Sequence, residues 1–454
     1  MFIDKDQLLT EFNHLYQTQD SCCLSLYSYP GQGKTTLLGE FLKGKRALYY
    51  KASCVPWQEN FRLLRDLCIR SLGSSLENVS KTSDLIKALK KASRSEPLVL
   101  VLDDFQYLSS KNRRLYTQLS ALEKENPSCR LFVILCKSSS LWDKEASKES
   151  HSFCLRNFNF FETCRLYPRL SYSDQILLYG VTGGNPGLLK YFPPQISVCE
   201  SLESLFFQEK GPLYRLTAQR LQKYYGSSPF IGGILGAIGS SFRHLQEICD
   251  KTGLTPSAAS SLLGSLENHG ITKKIVPVTE DSSSRRALYK IWDGAFRFWY
   301  TYVYPFQSEI ESGKGGQVFR ESVLPGLSDY LKAAFEDICR DFLRLEEKRG
   351  STPFPMEQIG MWWGQHPTKK RTEYISIAAS GQDQILLGAC FLTDEWLDAD
   401  SLSGLQKHAG LFPDREKWYY LFSTSDFVSG FEAIFGNHVR VFSLEEMCRI
   451  MSNL

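Results

Sequence analysis

The 454-residue chain has no C-x-x-C pair, no long apolar run and no large excess of charge of either sign. Its 13 cysteines stand singly apart from Cys22-Cys23. That pattern argues against a zinc site or a disulfide scaffold, and for small buried hydrophobes in a reducing cytoplasm. No stretch reaches the ~18 apolar residues of a membrane span. The opening MFIDKDQLLTEF carries acids and no apolar core, so it does not read as a signal peptide. The net charge of +3 singles out neither nucleic acid nor a membrane as partner. There are no internal repeats and no long low-complexity tract. The hydrophobic fraction of 43% is ordinary for a globular protein, and the length suits roughly three domains of ~150 residues each.

What the chain does contain begins with alternation. Short apolar runs at residues 23–27, 47–50, 98–102 and 131–136 read as strands, and residues 35–42 and 60–72 as helices. Unbroken apolar runs fit strands buried on both faces of a parallel sheet, and the alternation predicts an α/β layer fold. From about residue 160 the pattern turns helical, interrupted by Gly183-Gly184-Asn185-Pro186. Beyond residue 306 strand-like runs return at 374–379, 385–392, 418–423 and 439–442.

Ser28-Tyr29-Pro30-Gly31-Gln32-Gly33-Lys34-Thr35 lies between a predicted strand and a predicted helix, the context a phosphate-binding loop requires. Its backbone N–H groups would cradle phosphates at a helix N-terminus. Lys34 would meet the β- and γ-phosphates and the Thr35 hydroxyl would meet Mg²⁺. Ser28 replaces the usual first glycine, which is tolerable if its φ is negative. Downstream, the apolar strand at 98–102 ends in Asp103 and Asp104. The first acid would orient the metal's water shell and the second would polarise an attacking water. Asp104 is one methylene shorter than the usual Glu, and misplacement of ~1 Å can cost ~10²-fold in rate. The expected cofactors are ATP and Mg²⁺. The expected nucleotide contacts are Ser28, Pro30, Gly31, Gln32, Gly33, Lys34, Thr35 and Thr36, with Thr35 and Asp103 on the metal and Asp103 and Asp104 catalytic. Ser138, after the 131–136 strand, is placed to sense the γ-phosphate; a plain strand followed by a polar loop is the other reading.

With these residues the chain resembles the prokaryotic, archaeal-type AAA+/STAND-like ATPases that carry a C-terminal DUF234 domain. The resemblance runs through Asp103-Asp104-Phe105-Gln106-Tyr107-Leu108, Cys136-Lys137-Ser138-Ser139 and Gly183-Gly184-Asn185-Pro186. It continues in Tyr289-Lys290-Ile291-Trp292-Asp293, Arg297-Phe298-Trp299-Tyr300, Phe335-Glu336-Asp337-Ile338-Cys339 and Ile359-Gly360-Met361-Trp362-Trp363. The resemblance implies that Pro186 lies near the adenine. It also implies a C-terminal fold like that of PD-(D/E)XK nucleases. There Ser376, Ala389 and Phe391 stand where Asp, Glu and Lys would be, so no metal site is expected. Two departures bear on hydrolysis. The family arginine near the N-terminus is replaced by Asp4-Lys5-Asp6. The G-R-R segment after the sensor strand is replaced by Lys148-Glu149-Ser150-His151, with Arg156 the nearest arginine. Binding should survive, while hydrolysis should be slow, since such an arginine can be worth 10³ or more in rate.

Leu245, Ile248, Cys249, Leu254, Ala259, Leu262, Leu263, Leu266 and Ile271 form the apolar skeleton of a winged helix-turn-helix. Its second helix, residues 256–268, has no Lys or Arg, so base readout has little to work with. Only Lys273, Lys274, Arg285 and Arg286 remain for DNA phosphates. Trp292, Phe296, Trp299 and Tyr300 make an aromatic stripe expected to be core. The whole reads as an α/β P-loop NTPase core (1–157), a helical lid (158–210), a winged helix (211–305) and a DUF234-like, degenerate nuclease-like α/β domain (306–454). Three functional readings follow: an ATP/ADP-dependent switch acting on a protein partner or as a homo-oligomer, an ATP-regulated nuclease, and a DNA-binding regulator. No membrane partner is expected.

Overall fold

The computed structural model describes residues 5–18, 21–73, 79, 81–109, 113–124, 129–226, 228–239, 241, 243–366, 370–398, 400–428 and 436–452. Asp4 lies outside them. Packing divides the chain into two compact units, Met1–Asn157 with Asn185–Gly187, and Phe158–Gly184 with Leu188–Leu454.

The first unit is built on strands β1 (Cys22–Ser28), β2 (Ala47–Lys51), β3 (Leu98–Asp103), β4 (Leu131–Ser138) and β5 (His151–Cys154). They form one parallel sheet in the order β2-β3-β4-β1-β5. Every residue of β1 and β3 is buried, because helices cover both faces. Leu24, Leu26, Val99, Val101, Ile134 and Cys136 pack with α1 (Asp6–Thr18) and α2 (Lys34–Leu42). Leu98, Leu100, Leu102, Leu131, Val133 and Leu135 pack with α3 (Trp57–Leu72) and α4 (Thr82–Ala92). The period of two sends alternate side chains to opposite cores. Edge strand β2 instead alternates exposed and buried. Because the sheet is parallel, its strand C-termini share one edge, the edge on which ligands of α/β sheets bind.

The second unit contains α5 (Tyr172–Thr182) and a winged helix made of α6 (Leu245–Thr252), α7 (Pro256–Asn268) and the sheet β6-β8-β7. Its strands are β6 (Arg243–His244), β7 (Thr272–Ile275) and β8 (Leu288–Ile291). Gly253 turns the chain between the helices at φ 70, and Thr255 caps α7 by accepting from Ala258 N. Ile248, Cys249, Ala259, Leu263, Leu266 and Ile271 are buried as the apolar pattern requires. The stripe is core at Phe296, Trp299 and Tyr300 but not at Trp292, which is 42% exposed. Trp292 sits at the end of β8 under two lysine ammoniums, Lys273 at 4.2 Å and Lys290 at 5.0 Å from the ring centre.

The long helix α8 (Leu327–Lys348) lies on a five-stranded sheet of order β13-β12-β11-β10-β9. The strands are β9 (Gln358–Gln365), β10 (Thr372–Ser380), β11 (Gln384–Phe391), β12 (Glu416–Ser423) and β13 (Val439–Ser443). The chain closes with α9 (Leu444–Ser452). Asp337 of α8 is ringed by three buried cations: Lys290 at 2.7 Å, Arg297 at 2.9 Å and Arg340 at 2.7 Å. Burial opposes its charge, but those cations hold the Asp337 carboxyl well below the usual range. Burial, with the two guanidiniums adding to it, pushes the Lys290 ammonium down to about 8.

The wing between β7 and β8 is tied inward to the C-terminal sheet. Val278 N donates to Met361 O (3.0 Å), Arg286 Nη1 to Trp363 O (3.1 Å) and Trp363 Nε1 to Arg286 O (3.1 Å). Arg286 also pairs with Glu280, and Lys274 Nζ donates to Ser282 O at 2.7 Å. Of the four basic residues set aside for DNA phosphates, three are thereby engaged within the protein, since Lys273 is half-buried over Trp292. On β11, Cys390 packs on the α8 face of the sheet, whereas Ala389 and Phe391 pack on the opposite face. The β9–β10 pairing shifts register between Ile375 and Ala378. Among the described residues no group of three or more His, Cys, Asp or Glu is arranged to hold a metal ion. None of their helices is long and apolar enough to cross a membrane.

Candidate functional site

The loop after β1 is shaped by two glycines in the left-handed region, Gly31 and Gly33, both at φ 86. Ser28, the departure from the usual glycine, is not among the residues of positive φ. It ends β1 as an ordinary strand residue, paired with Ser138 at the end of β4. Serine therefore fits there without strain. Gln32 is buried, and its Oε1 accepts from Tyr29 N at 2.7 Å while its own N–H reaches Tyr29 O at 3.4 Å. Its side chain shapes the loop from inside. Pro30, Gly31, Thr35 and Thr36 are exposed.

The carbonyls of this loop are all engaged. Tyr29 O accepts from Gln32 N, and Gly33 O from Leu37 N at 3.0 Å. Pro30 O accepts from Asn185 Nδ2 at 3.2 Å, Gly31 O from Gly187 N at 2.8 Å, and Gln32 O from Lys5 Nζ at 2.6 Å. Gly33 caps α2 with no side-chain hydrogen bond, so the first-turn N–H groups stay available. With the amides of Tyr29 and Gln32 used to shape the loop, those of Gly33 and the first turn of α2 form the nest for an anion, reinforced by the helix N-terminus.

Lys34 Nζ pairs with Asp103 Oδ1, joining the loop to the end of β3. Asp103 Oδ1 also accepts from Asp104 N at 2.8 Å, and Oδ2 from the Tyr49 hydroxyl at 2.7 Å. Burial alone would raise the Asp103 carboxyl; Lys34 and Tyr49 outweigh it and hold it below the usual range. Burial likewise opposes the Lys34 charge, and its acidic neighbours win, so its pKa is raised. Asp104 turns the chain at φ 53, a left-handed conformation that aspartate tolerates better than most residues. Its Oδ1 accepts from Gln106 Nε2 at 3.4 Å and its Oδ2 lies 4.0 Å from Lys51 Nζ. The hydroxyls of Thr35 and Thr36 donate no hydrogen bond among the described residues.

Two features were not foreseen from the sequence, and a third only in part. Lys5 is buried, and its ammonium bonds both Gln32 O and Arg156 O (3.2 Å). A cation from the N-terminal segment thus does reach the loop, where the lack of an arginine had suggested a gap. Glu149 is bound to Lys137 at 2.5 Å and to the hydroxyls of Tyr27 (2.9 Å) and Tyr116 (3.2 Å). It anchors the sheet edge where a G-R-R segment was looked for. The third is the turn around Pro186. Gly183 and Gly184 (φ 56 and 65) bring Asn185 onto Gly31, where an added Cβ would strike the Asn185 amide. Pro186 itself is half-buried and opens a short helical turn. The double glycine was the signal available in the sequence; the hydrogen bonds to the loop were not.

The donor set suits a nucleoside triphosphate and Mg²⁺. The nest and Lys34 present positive charge. Asp103 supplies one carboxylate of the kind Mg²⁺ takes when substrate phosphates complete its shell. The fold and this site define a P-loop protein of the nucleotide-dependent class. Comparison with known proteins makes that more particular. Residues 17–144 match the AAA domain family, residues 233–274 the IclR helix-turn-helix domain, and residues 299–399 DUF234, described as archaeal and bacterial proteins of unknown function. The chain thus combines an AAA domain, a helix-turn-helix of the IclR type and a C-terminal DUF234 region. An uncharacterized protein of Methanocaldococcus jannaschii is 22% identical over 418 residues, 88% of each chain. The Walker-type ATPase of Pyrococcus abyssi shares 16% identity over 66% of this chain and 96% of its own, with a TM-score of 0.47. Cdc6p of Pyrobaculum aerophilum shares 14% over 71% and 96%, with a TM-score of 0.32.

Proposed function

We propose that the chain is an ATP-dependent switch. Ser28, Pro30, Gly31, Gln32, Gly33, Lys34, Thr35 and Thr36 hold the phosphates, Ser138 stands at the γ-phosphate, and Pro186 borders the adenine. Thr35 and Asp103 hold Mg²⁺, which neutralises phosphate charge when bound. Asp103 and Asp104 orient the attacking water. The observation that carries the reading is the clasp of Asn185 and Gly187 on the carbonyls of Pro30 and Gly31. Residues 185–187 pack with the first unit although the chain on both sides of them belongs to the second. A phosphate that reshapes the loop therefore acts on a turn continuous with the helical segment 158–210. Any conformational change needs such a differential contact between states.

Hydrolysis is slow in this reading, because Asp104 is short and no arginine of this chain is assigned to the γ-phosphate. A second copy of the chain or a protein partner would supply one. The C-terminal sheet serves as a nuclease-like fold without nuclease chemistry. The DNA-binding reading has less support, because the wing's cations are engaged inward. Hydrogen exchange on the full chain tests the switch, with ADP, with a slowly hydrolysed ATP analogue, and without nucleotide. Exchange at Gly187 and across 188–210 should differ among the three states. Identical exchange in all three would remove the switch.

A further inference from the structure

Asp103 carries more than its pairing with Lys34. A carboxylate has about four lone-pair positions. On Asp103, Lys34 and Asp104 N take two on Oδ1, and the Tyr49 hydroxyl takes one on Oδ2. Tyr49 lies on edge strand β2, on its exposed side with Lys51, and keeps 37% of its surface exposed. It belongs to none of the buried apolar clusters. Among the described residues its hydroxyl's one hydrogen bond is the 2.7 Å bond to Asp103.

We propose that Tyr49 is a positioning residue for the magnesium site, holding Asp103 by Oδ2 so that Oδ1 is presented to the hydrated cation. The proposal rests on reading the loop as an ATP site. The order of events follows from the contacts. Without nucleotide, Lys34 occupies Oδ1. When phosphates draw Lys34 away, the position it held on Oδ1 opens beside the Asp104 N–H, while the Tyr49 bond on Oδ2 is untouched. The carboxylate then keeps its rotamer at the moment its cation partner leaves. Partners behind a metal-binding carboxylate fix its orientation, and their loss costs ~10–100-fold in metal affinity.

The test is Tyr49→Phe in the full chain, which removes the hydroxyl and keeps the ring. Binding of a slowly hydrolysed ATP analogue is measured with EDTA and across a Mg²⁺ titration. The variant should keep the wild-type affinity in EDTA and need ~10-fold more Mg²⁺ for half-maximal enhancement. In an Asp103→Asn background the same substitution should add nothing, since its effect runs through Asp103. A Mg²⁺ midpoint unchanged by Tyr49→Phe, in a wild type that responds to Mg²⁺, overturns the role of Tyr49 alone. A shift that persists in the Asp103→Asn background does the same. A wild type that binds no nucleotide overturns the ATP site and the role of Tyr49 with it.

Discussion

Lys34→Ala should weaken ATP binding and destabilise the protein, and the two effects have separate origins. In the free protein the Lys34 ammonium is bonded to Asp103, whose side chain is only 3% exposed. In the complex that ammonium exchanges a carboxylate for a phosphate. The substitution removes a charge-assisted hydrogen bond to phosphate, worth ~1.5–3 kcal/mol. It also removes the need to break the bond to Asp103, which offsets part of that loss. A net of ~2 kcal/mol, about 30-fold in Kd, is the expectation. Stability falls because a buried carboxylate loses its cation, at a cost of ~1–3 kcal/mol. The pH dependence separates this from a packing defect. Asp103 is held below its ordinary pKa in the wild type, so its contribution is present above the unfolded value and lost as pH falls through the folded one. Without Lys34 the strongest of the influences that lower the carboxyl is gone, and burial, which raises it, weighs more. The stability gap between variant and wild type should therefore be full above ~pH 5 and narrow below ~pH 4. Calorimetric ATP titration and urea melts at several pH values measure both. Lys34→Ala combined with Asp103→Asn should recover stability but not affinity. Unchanged ATP affinity in Lys34→Ala would refute the phosphate-loop assignment, and a gap that ignores pH would refute the buried pair.

Asp104→Asn keeps a side chain that accepts the left-handed φ and removes only the charge. It should slow phosphate release by ~10²-fold or more while ATP still binds. Asp337→Asn should cost ~3–5 kcal/mol in urea unfolding, because Lys290, Arg297 and Arg340 lose the one carboxylate they share. Pure protein with Mg²⁺ or Mn²⁺ should leave single- and double-stranded DNA and RNA uncut, with or without ATP, as read on gels. Its affinity for duplex DNA should be weak and disappear with added salt in a titration, since three of the four wing cations are engaged within the protein.

Much of the first unit was legible because its signals are local. Unbroken apolar runs mark β3 and β4, a shorter run interrupted by Ser25 marks β1, and the glycines, Lys34 and the strand-end acids lie within short segments. What could not be read is what folding brings together from a distance. Asn185 reaches Pro30 across 155 positions, Lys5 reaches Arg156 across 151, and Tyr49 reaches Asp103 across 54. Each is a hydrogen bond between a side chain and a distant segment, with no periodicity to announce it. Lys5 and Glu149 show the opposite error. They were read as absences of arginine, although each makes buried polar bonds of its own. The aromatic stripe failed at Trp292 because helical spacing was applied to a residue that sits where β8 ends.

The C-terminal sheet shows why matching a motif along a strand is weaker than locating the strand's faces. A shift of one residue exchanges every side chain between faces, and an irregularity in pairing makes that shift locally. Along β10, Ile375 and Ala378 pack on one face, while Ile377 and Ala379 pack on the α8 face. Strict alternation would put Ile375 and Ile377 together, so the register break between Ile375 and Ala378 accounts for the change of face. On β11 the alternation holds, which places Leu386 and Cys390 toward α8 and Leu387, Ala389 and Phe391 away from it. A catalytic set sharing a face with Glu336 would have to be drawn from the α8 side, where β11 offers a thiol. Burial raises the Glu336 carboxyl, with the Ser376 hydroxyl and Arg340 among its neighbours. One carboxyl, one thiol and one hydroxyl do not make the charge a divalent cation requires. The proposal of a sheet without nuclease chemistry draws its support from which residues face α8, although the residues first aligned to that centre face the other way.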